Sequence, residues 1–339
     1  MKKTLLLSIL CLSCVAMTSW SQNLNQAEPE NVIDVVGYFY KNDTLTYELT
    51  HNKYKIQEND TTVSDSYVEE FMIVVTDSTS NGYKMKFIPL SFTILDADTG
   101  TSLMKNAMRQ MMQSVVCEFT TDEYGSIKSI TNWREIRDQL KKGVKVTCDT
   151  LYSTIPGLDS IIMPRKSLEN FLKLGFSDEE DIRDSYEELE TLFGLHGSSF
   201  EICDDEEDTE EEGYPQHTTI HIGYTPIEDE DYDHVGDYDI LKQSTMTVPV
   251  EDIMELGYGV LSMIMGNMDN DSLDVDLDQI VDSVKTEKPN GADFIVKEFY
   301  RFFLNGWLKE YYYEEAADIG FYQSIETHYI RCISSYMHI

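Results

Sequence analysis

The sequence predicts an α+β protein in which a curved antiparallel sheet, either a half-barrel or two related sheets, is covered by amphipathic helices. Three observations lead to this prediction. Runs rich in Tyr, Val, Ile, Thr and Phe alternate with turn-forming residues over positions 32–92. Methionines then recur at helical spacing between Met104 and Met112. A hydrophobic content of 41%, with 21 Tyr and 14 Phe, is ample for a packed core.

The first 21 residues have the features of a secretory signal peptide. Lys2 and Lys3 form a positive start, Leu5 to Met17 form an apolar stretch, and the small residues Ser19 and Ser21 suit cleavage before Gln22. The apolar stretch is shorter than the roughly 20 residues that span a bilayer. We therefore expect an exported protein without a transmembrane segment, located in the periplasm, at the outer membrane or outside the cell.

Lipidation is the alternative to simple cleavage, because Cys14 follows Leu12 and Ser13. The surrounding residues fit this alternative less well. Val15, Ala16 and Met17 continue the apolar stretch where a polar tether is expected to begin. Both outcomes place the rest of the chain outside the cytoplasm.

The segment 22–150 is predicted to be a β-rich part with one main helix. Short turns between the predicted strands favour antiparallel neighbours. The predicted strands are Val35–Tyr40, Thr44–Lys55, Tyr67–Val75, Tyr83–Phe92, Val115–Thr120 and Ser126–Ile130. The methionine-bearing helix precedes the last two strands, and a further helix is predicted near Trp133–Lys142.

The segment 151–213 is predicted to be a helical, acidic insertion or linker. Residues 165–195 have a helical pattern, and eight of the nine residues from Asp204 to Glu212 are acidic. Like charges at such close spacing resist packing, which favours a solvated loop.

The segment 214–339 is predicted to be a second α+β part. Strands are expected over His217–Tyr224 and Tyr238–Val248, helices after Pro249 and Asp276 and over Phe294–Trp307, and strands from Tyr311 onward. Two similar stretches, Asp122–Ile130 and Ala317–Ile325, are each predicted to form a hairpin in which a Gly adopts a positive φ.

The charge of the chain excludes one class of partner. The 62 Asp and Glu residues against 26 Lys and Arg give a formal net charge of −36, and the sequence shows no basic patch. A polyanion of this kind repels phosphate backbones. We expect no nucleic-acid partner.

Two histidines are the weak candidates for a metal site built on imidazole ligands. His217 and His221 would lie on the same face of a predicted strand. The zincin motif needs a helix and a Glu after the first His, but Thr218 stands there, so surface histidines are the favoured interpretation. The acidic sets Asp229–Asp239 and Asp269–Asp278 lack the spacing of an EF-hand loop, and weak calcium binding is the most that they predict.

Four cysteines follow the signal segment, and export would permit disulfides among them. Three pairings are open, and the spacing does not choose between them. These residues are Cys117, Cys148, Cys203 and Cys332.

No catalytic motif is present, since the sequence contains neither a Gly-rich phosphate loop nor a Gly-x-Ser-x-Gly elbow. The order of strands and helices over Val32–Ile130 and from Tyr311 onward resembles the periplasmic lipoprotein-carrier type of half-barrel and secreted Bacteroidota proteins. That resemblance implies a non-catalytic envelope protein, without a cofactor, that binds a lipid-like apolar ligand or an envelope protein on a concave sheet face. A structural module without a ligand, and a hydrolase with an unrecognised site, are the alternatives.

Overall fold

A computed structural model describes residues 31–57, 60–97, 107–154, 157, 163–211, 213–225, 236–249, 252, 286, 288, 291–320 and 322–338. The predicted signal segment, Met104, the predicted helices over 253–285 and most of both acidic sets lie outside the described residues. No helix among the described residues combines the length and apolar character needed to cross a membrane.

Strands dominate the described part of the chain. They are β1 (Val32–Asp34), β2 (Thr44–Gln57), β3 (Asp60–Thr79), β4 (Gly82–Ala97), β5 (Cys117–Thr121), β6 (Ile127–Ile130), β7 (Ser199–Glu201), β8 (Cys203–Glu211), β9 (Tyr214–Tyr224), β10 (Tyr238–Val248), β11 (Ala292–Phe302), β12 (Leu308–Asp318) and β13 (Tyr322–Tyr336). Within this part, β1 pairs with β7, and the other eleven strands form one sheet in the order β6-β5-β4-β3-β2-β13-β12-β11-β10-β9-β8. Every pairing in the sheet is antiparallel.

In the described part of the chain, the helices are few and gather at one end of the sheet. They are α1 (Trp133–Thr154), α2 (Arg165–Leu174), α3 (Glu179–Asp184) and α4 (Glu187–Phe193), with a helical turn over 107–112. α1 packs on α2, α3 and β5, while α3 packs on β6 and α4. The fold class predicted from the sequence is therefore wrong: the protein is mostly β, with one large antiparallel sheet, and is not an α+β fold whose sheet is covered by helices.

The two ends of the described chain meet in the middle of the sheet. β2 pairs along nearly its whole length with β13, so His51 lies opposite His328 and Leu49 opposite Ile330. Strands from the segments 22–150 and 214–339 thus belong to the same sheet. The two strands are far apart in the sequence, and neither strand's own sequence identifies the other as its partner.

One face of the sheet, here called the inner face, carries the core. On β2 the buried side chains alternate with half-buried ones, and Leu45, Tyr47 and Leu49 point to the inner face. Their cross-strand partners Ile73 and Phe71 on β3 are also buried. Because side chains alternate with period two, the opposite or outer face holds the intervening polar residues.

An aromatic cluster closes the core where the loop after β1 crosses the strand ends. The rings of Phe39 and Trp307 have centroids 4.2 Å apart, and Phe193 of α4 lies 6.1 Å from Trp307. The fully buried His196 donates from Nε2 to the carbonyl oxygen of Gly306 at 3.0 Å. The predicted strand Val35–Tyr40 lies in this loop and is not a strand: Gly37 N–H donates to the carbonyl of Tyr124 and Tyr38 N–H to that of Asn305.

Two other assignments made from the sequence are also wrong. The aromatic stretch Phe294–Trp307 forms β11 and a turn rather than a helix. It has apolar side chains on both faces, as strands inside a large sheet often do, and this removes the period-two signal. The acidic run Asp204–Glu211 forms the edge strand β8 rather than a loop, and the carboxylates among Asp204–Glu210 are exposed on both faces.

Both predicted hairpins are confirmed. β5 and β6 pair across the turn that contains Gly125, and β12 and β13 pair across the turn that contains Gly320. The two glycines have φ of 107° and 90°, which a residue with a Cβ rarely adopts. The strands predicted near β2, β3, β4, β9 and β10 are likewise present as antiparallel neighbours.

Candidate functional site

A band of ionisable residues crosses the middle of the inner face. Two adjacent cross-strand rows supply it, since Lys242, Glu298, Tyr313, His328 and His51 are successive register partners on β10, β11, β12, β13 and β2. The next row contains Glu315, Glu326, Lys53 and Asp65. These nine residues are called the polar band below. Core-facing strand positions are usually apolar, so the polar band is the most distinctive chemical feature of this face.

Two histidines stand at the centre of the polar band. Nδ1 of His51 lies 3.2 Å from Nε2 of His328. Nε2 of His328 is 3.5 Å from Oε1 of Glu326, and Nε2 of His51 is 3.7 Å from Oδ2 of Asp65. One potential ligand atom from each of His51, Glu326 and His328 falls within 4.8 Å of the other two. Among the described residues, this trio has the composition and spacing to hold a metal ion.

The cluster is held from several sides. The ring of Tyr67 stacks on the His51 ring at 4.7 Å, and Lys53 Nζ binds Oε2 of Glu326 at 2.9 Å. His51 is 1% exposed, whereas the Glu326 side chain is 28% exposed. The cluster therefore has a buried wall and an accessible side.

Neighbouring carboxyl groups in the polar band have altered acidity. Burial raises the pKa of Glu298, which accepts hydrogen bonds from the hydroxyls of Tyr300 and Tyr311 at 2.8 and 3.4 Å. Desolvation by the surrounding protein also raises the pKa of Glu315, although the Tyr313 hydroxyl donates a hydrogen bond to it at 3.1 Å and opposes the shift. These groups keep protons to higher pH than ordinary carboxyls do.

A second polar cluster lies on the same face, close to the helices. Arg109 contacts Glu188 at 2.6 Å, Glu69 at 3.3 Å and Glu187 at 3.1 Å, and Gln113 donates to Glu69 at 2.9 Å. A small cleft beside it, with room for about one water molecule, has Phe87, Met112 and Tyr186 in its walls. The cluster is a satisfied ion network that ties the 107–112 helical turn and α4 to β3.

The histidines predicted from the sequence lie elsewhere. His217 and His221 share the outer face of β9, as predicted, and each contacts an acid of β8: Nδ1 of His217 is 2.8 Å from Asp208, and His221 contacts Asp204. Both imidazoles are about half exposed. The structure shows two separate His–Asp pairs at the sheet edge, while metal binding by either remains a prediction that the structure does not test.

The remaining predicted residues are dispersed. All four described cysteines are free thiols, with Cys117 on β5, Cys148 on α1, Cys203 on β8 and Cys332 on β13. Of the acidic sets, Asp237 and Asp239 are described, and they pair with Lys309 and Arg301.

Sequence reasoning missed His51, His328 and Glu326. One signal was present, because Glu326 and His328 are two residues apart in a predicted strand and therefore share a face. The third residue is 277 positions away from His328. Only the pairing of β2 with β13 brings it to the same place.

Comparisons with known proteins give little guidance. No family model matches the chain, and no curated protein matches it. A solved structure described as "Lipid-protein interactions in lipovitellin" is similar with 11% sequence identity and a TM-score of 0.33, over 89% of this chain and 26% of that one. The chain thus spans about a quarter of that protein's length. Such a low TM-score supports no conclusion about ligand or activity.

Proposed function

We propose that this is an exported, non-catalytic protein of a bacterial envelope that binds an apolar ligand with a polar end group on the inner face of its sheet. The observation that supports the proposal is the order of residues on that face. The polar band is bordered on one side by buried core rows and on the other by the half-buried register partners Phe294 and Ala317. Val296 adjoins them on β11, where it pairs with Glu315 of the band, and these three apolar residues together are called the apolar row below.

The apolar row supplies the surface for the ligand's hydrocarbon part. Phe294 and Val296 point to the same face as Glu298, and both remain partly accessible. When a ligand removes accessible apolar side chains from water, the complex is stabilised by roughly 25 cal/mol per Å² of apolar surface buried.

The polar band supplies partners for the end group. Glu315, Glu326 and Lys53 lie in the cross-strand row next to that of Ala317, and His328 lies one row further. Ligand sites generally combine an apolar lining with a few converging polar groups that fix orientation. An entirely apolar ligand would leave these groups without their hydration, which is costly. The arrangement therefore favours an amphiphile over a plain hydrocarbon.

The first test is native mass spectrometry of protein purified from its own envelope in the presence of a chelator. We expect an adduct of lipid-like mass. The second test titrates delipidated protein with a fluorescent long-chain fatty acid. Val296→Asp should weaken binding at least about tenfold, since burying one Val side chain contributes about 1.5–3 kcal/mol.

Ile295→Asp is the matched control, because Ile295 is the adjacent residue on β11 and points to the outer face. It should bind the probe as the wild type does. Equal weakening by both substitutions, or binding unchanged by Val296→Asp, would show that the inner face is not the binding surface.

A further inference from the structure

We propose that His51, His328 and Glu326 form a binding site for a divalent transition-metal ion, with Zn²⁺ the ion that best suits the ligands. The proposal concerns a part of the polar band and does not rest on the binding of an apolar ligand. Nothing in the sequence pattern pointed to these three residues together, and the pair His217 and His221 plays no part in it.

The distances fit a metal site. Zn²⁺ binds imidazole nitrogen and carboxylate oxygen at about 2.0–2.2 Å, which sets neighbouring ligand atoms of a tetrahedron roughly 3.3–3.6 Å apart. Nδ1 of His51 and Nε2 of His328 are 3.2 Å apart, and the latter is 3.5 Å from Oε1 of Glu326. Two of the three ligand separations therefore match a tetrahedral site, Oε1 of Glu326 lies 4.0 Å from Nε2 of His51, and one ligand atom from each residue falls within 4.8 Å of the others.

The backbone fixes two of the ligands rigidly. His51 and His328 are direct register partners in the antiparallel pair of β2 and β13. Glu326 lies on β13 as well, two residues before His328. Both strands are paired on both sides, because β2 lies between β3 and β13, and β13 lies between β2 and β12. Ligands on central strands are positioned more accurately than ligands on loops.

Surrounding residues have the roles expected of an outer shell. Oδ2 of Asp65 is 3.7 Å from Nε2 of His51, the ring nitrogen opposite the one that would bind the ion. Metal-binding imidazoles commonly direct their second nitrogen to a carboxylate, which orients the ring. Lys53 holds Oε2 of Glu326 at 2.9 Å, leaving Oε1 on the side of the histidines.

The donor types select the class of ion. Ca²⁺ and Mg²⁺ prefer all-oxygen sites, whereas imidazole suits Zn²⁺ and related transition metals. Three ligands from the described residues leave a fourth position for water or for the polar end of a bound molecule. The accessible side of Glu326 lies toward solvent, as ion entry requires.

The experiment titrates chelator-treated full-length protein with Co²⁺ and with Zn²⁺. We expect one ion per chain, and the Co²⁺ form should show the visible absorption of a four-coordinate ion with nitrogen ligands. His328→Gln should weaken Zn²⁺ binding by more than about 100-fold, since outer-shell partners alone contribute 10–100-fold. Asp65→Asn should weaken it by about 10–100-fold.

The control is the double substitution His217→Gln and His221→Gln, which removes the exposed histidines and should leave Zn²⁺ affinity unchanged. Thermal unfolding in chelator shows whether His328→Gln folds as the wild type does. Absence of the Co²⁺ absorption band in the wild type, or its survival in His328→Gln, would overturn the proposal. Fatty-acid binding is measured with chelator present, so its failure and the failure of metal binding are distinguishable.

Discussion

The hydroxyl of Tyr47 on β2 donates a hydrogen bond to the carbonyl oxygen of Leu308 on β12, 2.9 Å away and 261 residues along the chain. β13 lies between these two strands. Tyr47 thus spans a neighbouring strand on the inner face and links the two ends of the described chain. The bond is fully buried, so loss of the donor leaves the carbonyl without a hydrogen bond that water cannot easily replace.

We predict that Tyr47→Phe lowers the free energy of unfolding by about 1 kcal/mol, the usual net contribution of one such bond. Urea unfolding followed by circular dichroism measures this change. Tyr336→Phe is the control, because Tyr336 is 65% exposed at the end of β13. A similar loss in both variants would show that the hydroxyl of Tyr47 contributes nothing specific.

Strand positions were predictable where one face of a strand is buried and the other is open. In Thr44–Leu49 every second residue is apolar, and the structure buries the same residues. The alternation is missing in β11, where Phe294, Ile295 and Val296 follow one another. In a large sheet both faces of a strand are partly covered. The local sequence of β11 therefore lacks the apolar–polar alternation that distinguishes a strand from a helix.

The acidic edge strand β8 shows a second limit of local reasoning. Charge density argued for a loop, but backbone pairing with β9 holds Asp204–Glu211 extended while every side chain of Asp204–Glu210 stays in solvent. His217 and His221 on β9 contact Asp208 and Asp204 across this strand pair. An edge strand with unpaired backbone groups invites association with other chains, and charged side chains along the edge oppose it.

We predict that neutralising β8 promotes self-association. The triple variant Glu206→Thr, Asp208→Thr and Glu210→Thr keeps strand propensity and removes three charges from the free edge. Light scattering and sedimentation should show larger species than in the wild type. A variant with Glu123, Glu180 and Asp184 changed to Thr has the same net charge and should stay like the wild type. Self-association of both variants would assign the effect to net charge and contradict a role for the edge.

The Arg109 cluster gives a prediction for pH dependence. Burial, together with the nearby carboxylate of Glu188, raises the pKa of Glu69 to about 7 from an ordinary value of 4.5. The folded state therefore holds this proton more tightly than the unfolded state. Its contribution to stability is full below pH 4.5 and declines as the pH rises toward 7, with a total change on the order of 2–3 kcal/mol.

Glu69→Gln removes this titration and keeps an oxygen that accepts from Gln113 or Arg109. The difference in unfolding free energy between the variant and the wild type should shift in favour of the variant as the pH rises from 4.5 to 7. Urea unfolding at several pH values measures the difference. Parallel curves for the two proteins would contradict the prediction.

The candidate metal site was beyond prediction because its parts are separated by long stretches of chain. Glu326 and His328 share a strand, but their partner His51 reaches them only through the pairing of β2 with β13. Pairing between distant strands depends on the whole sheet, and the spacing of residues in the sequence does not predict it. By contrast, His217 and His221 were placed correctly on one face because both belong to one strand.

His196 gives the last prediction, with the opposite pH dependence to Glu69. Burial among Phe39, Phe193 and Phe302 lowers the pKa of His196 to about 4 from 6.5, although its hydrogen bond to Gly306 opposes the shift. The unfolded state therefore binds the proton first on acidification. Stability from this residue is full above pH 6.5 and is lost as the pH falls toward 4, by about 3 kcal/mol in total.

His196→Gln, which retains a donor for the Gly306 carbonyl, should remove this acid-dependent loss while costing packing at all pH values. Unfolding free energies at pH 4.5 and 7.5 should differ less in the variant than in the wild type. His217→Gln, which changes a half-exposed imidazole on the outer face, is the matched control and should preserve the wild-type difference. If His196→Gln retains the full difference, the imidazole of His196 is not the group that destabilises the fold in acid.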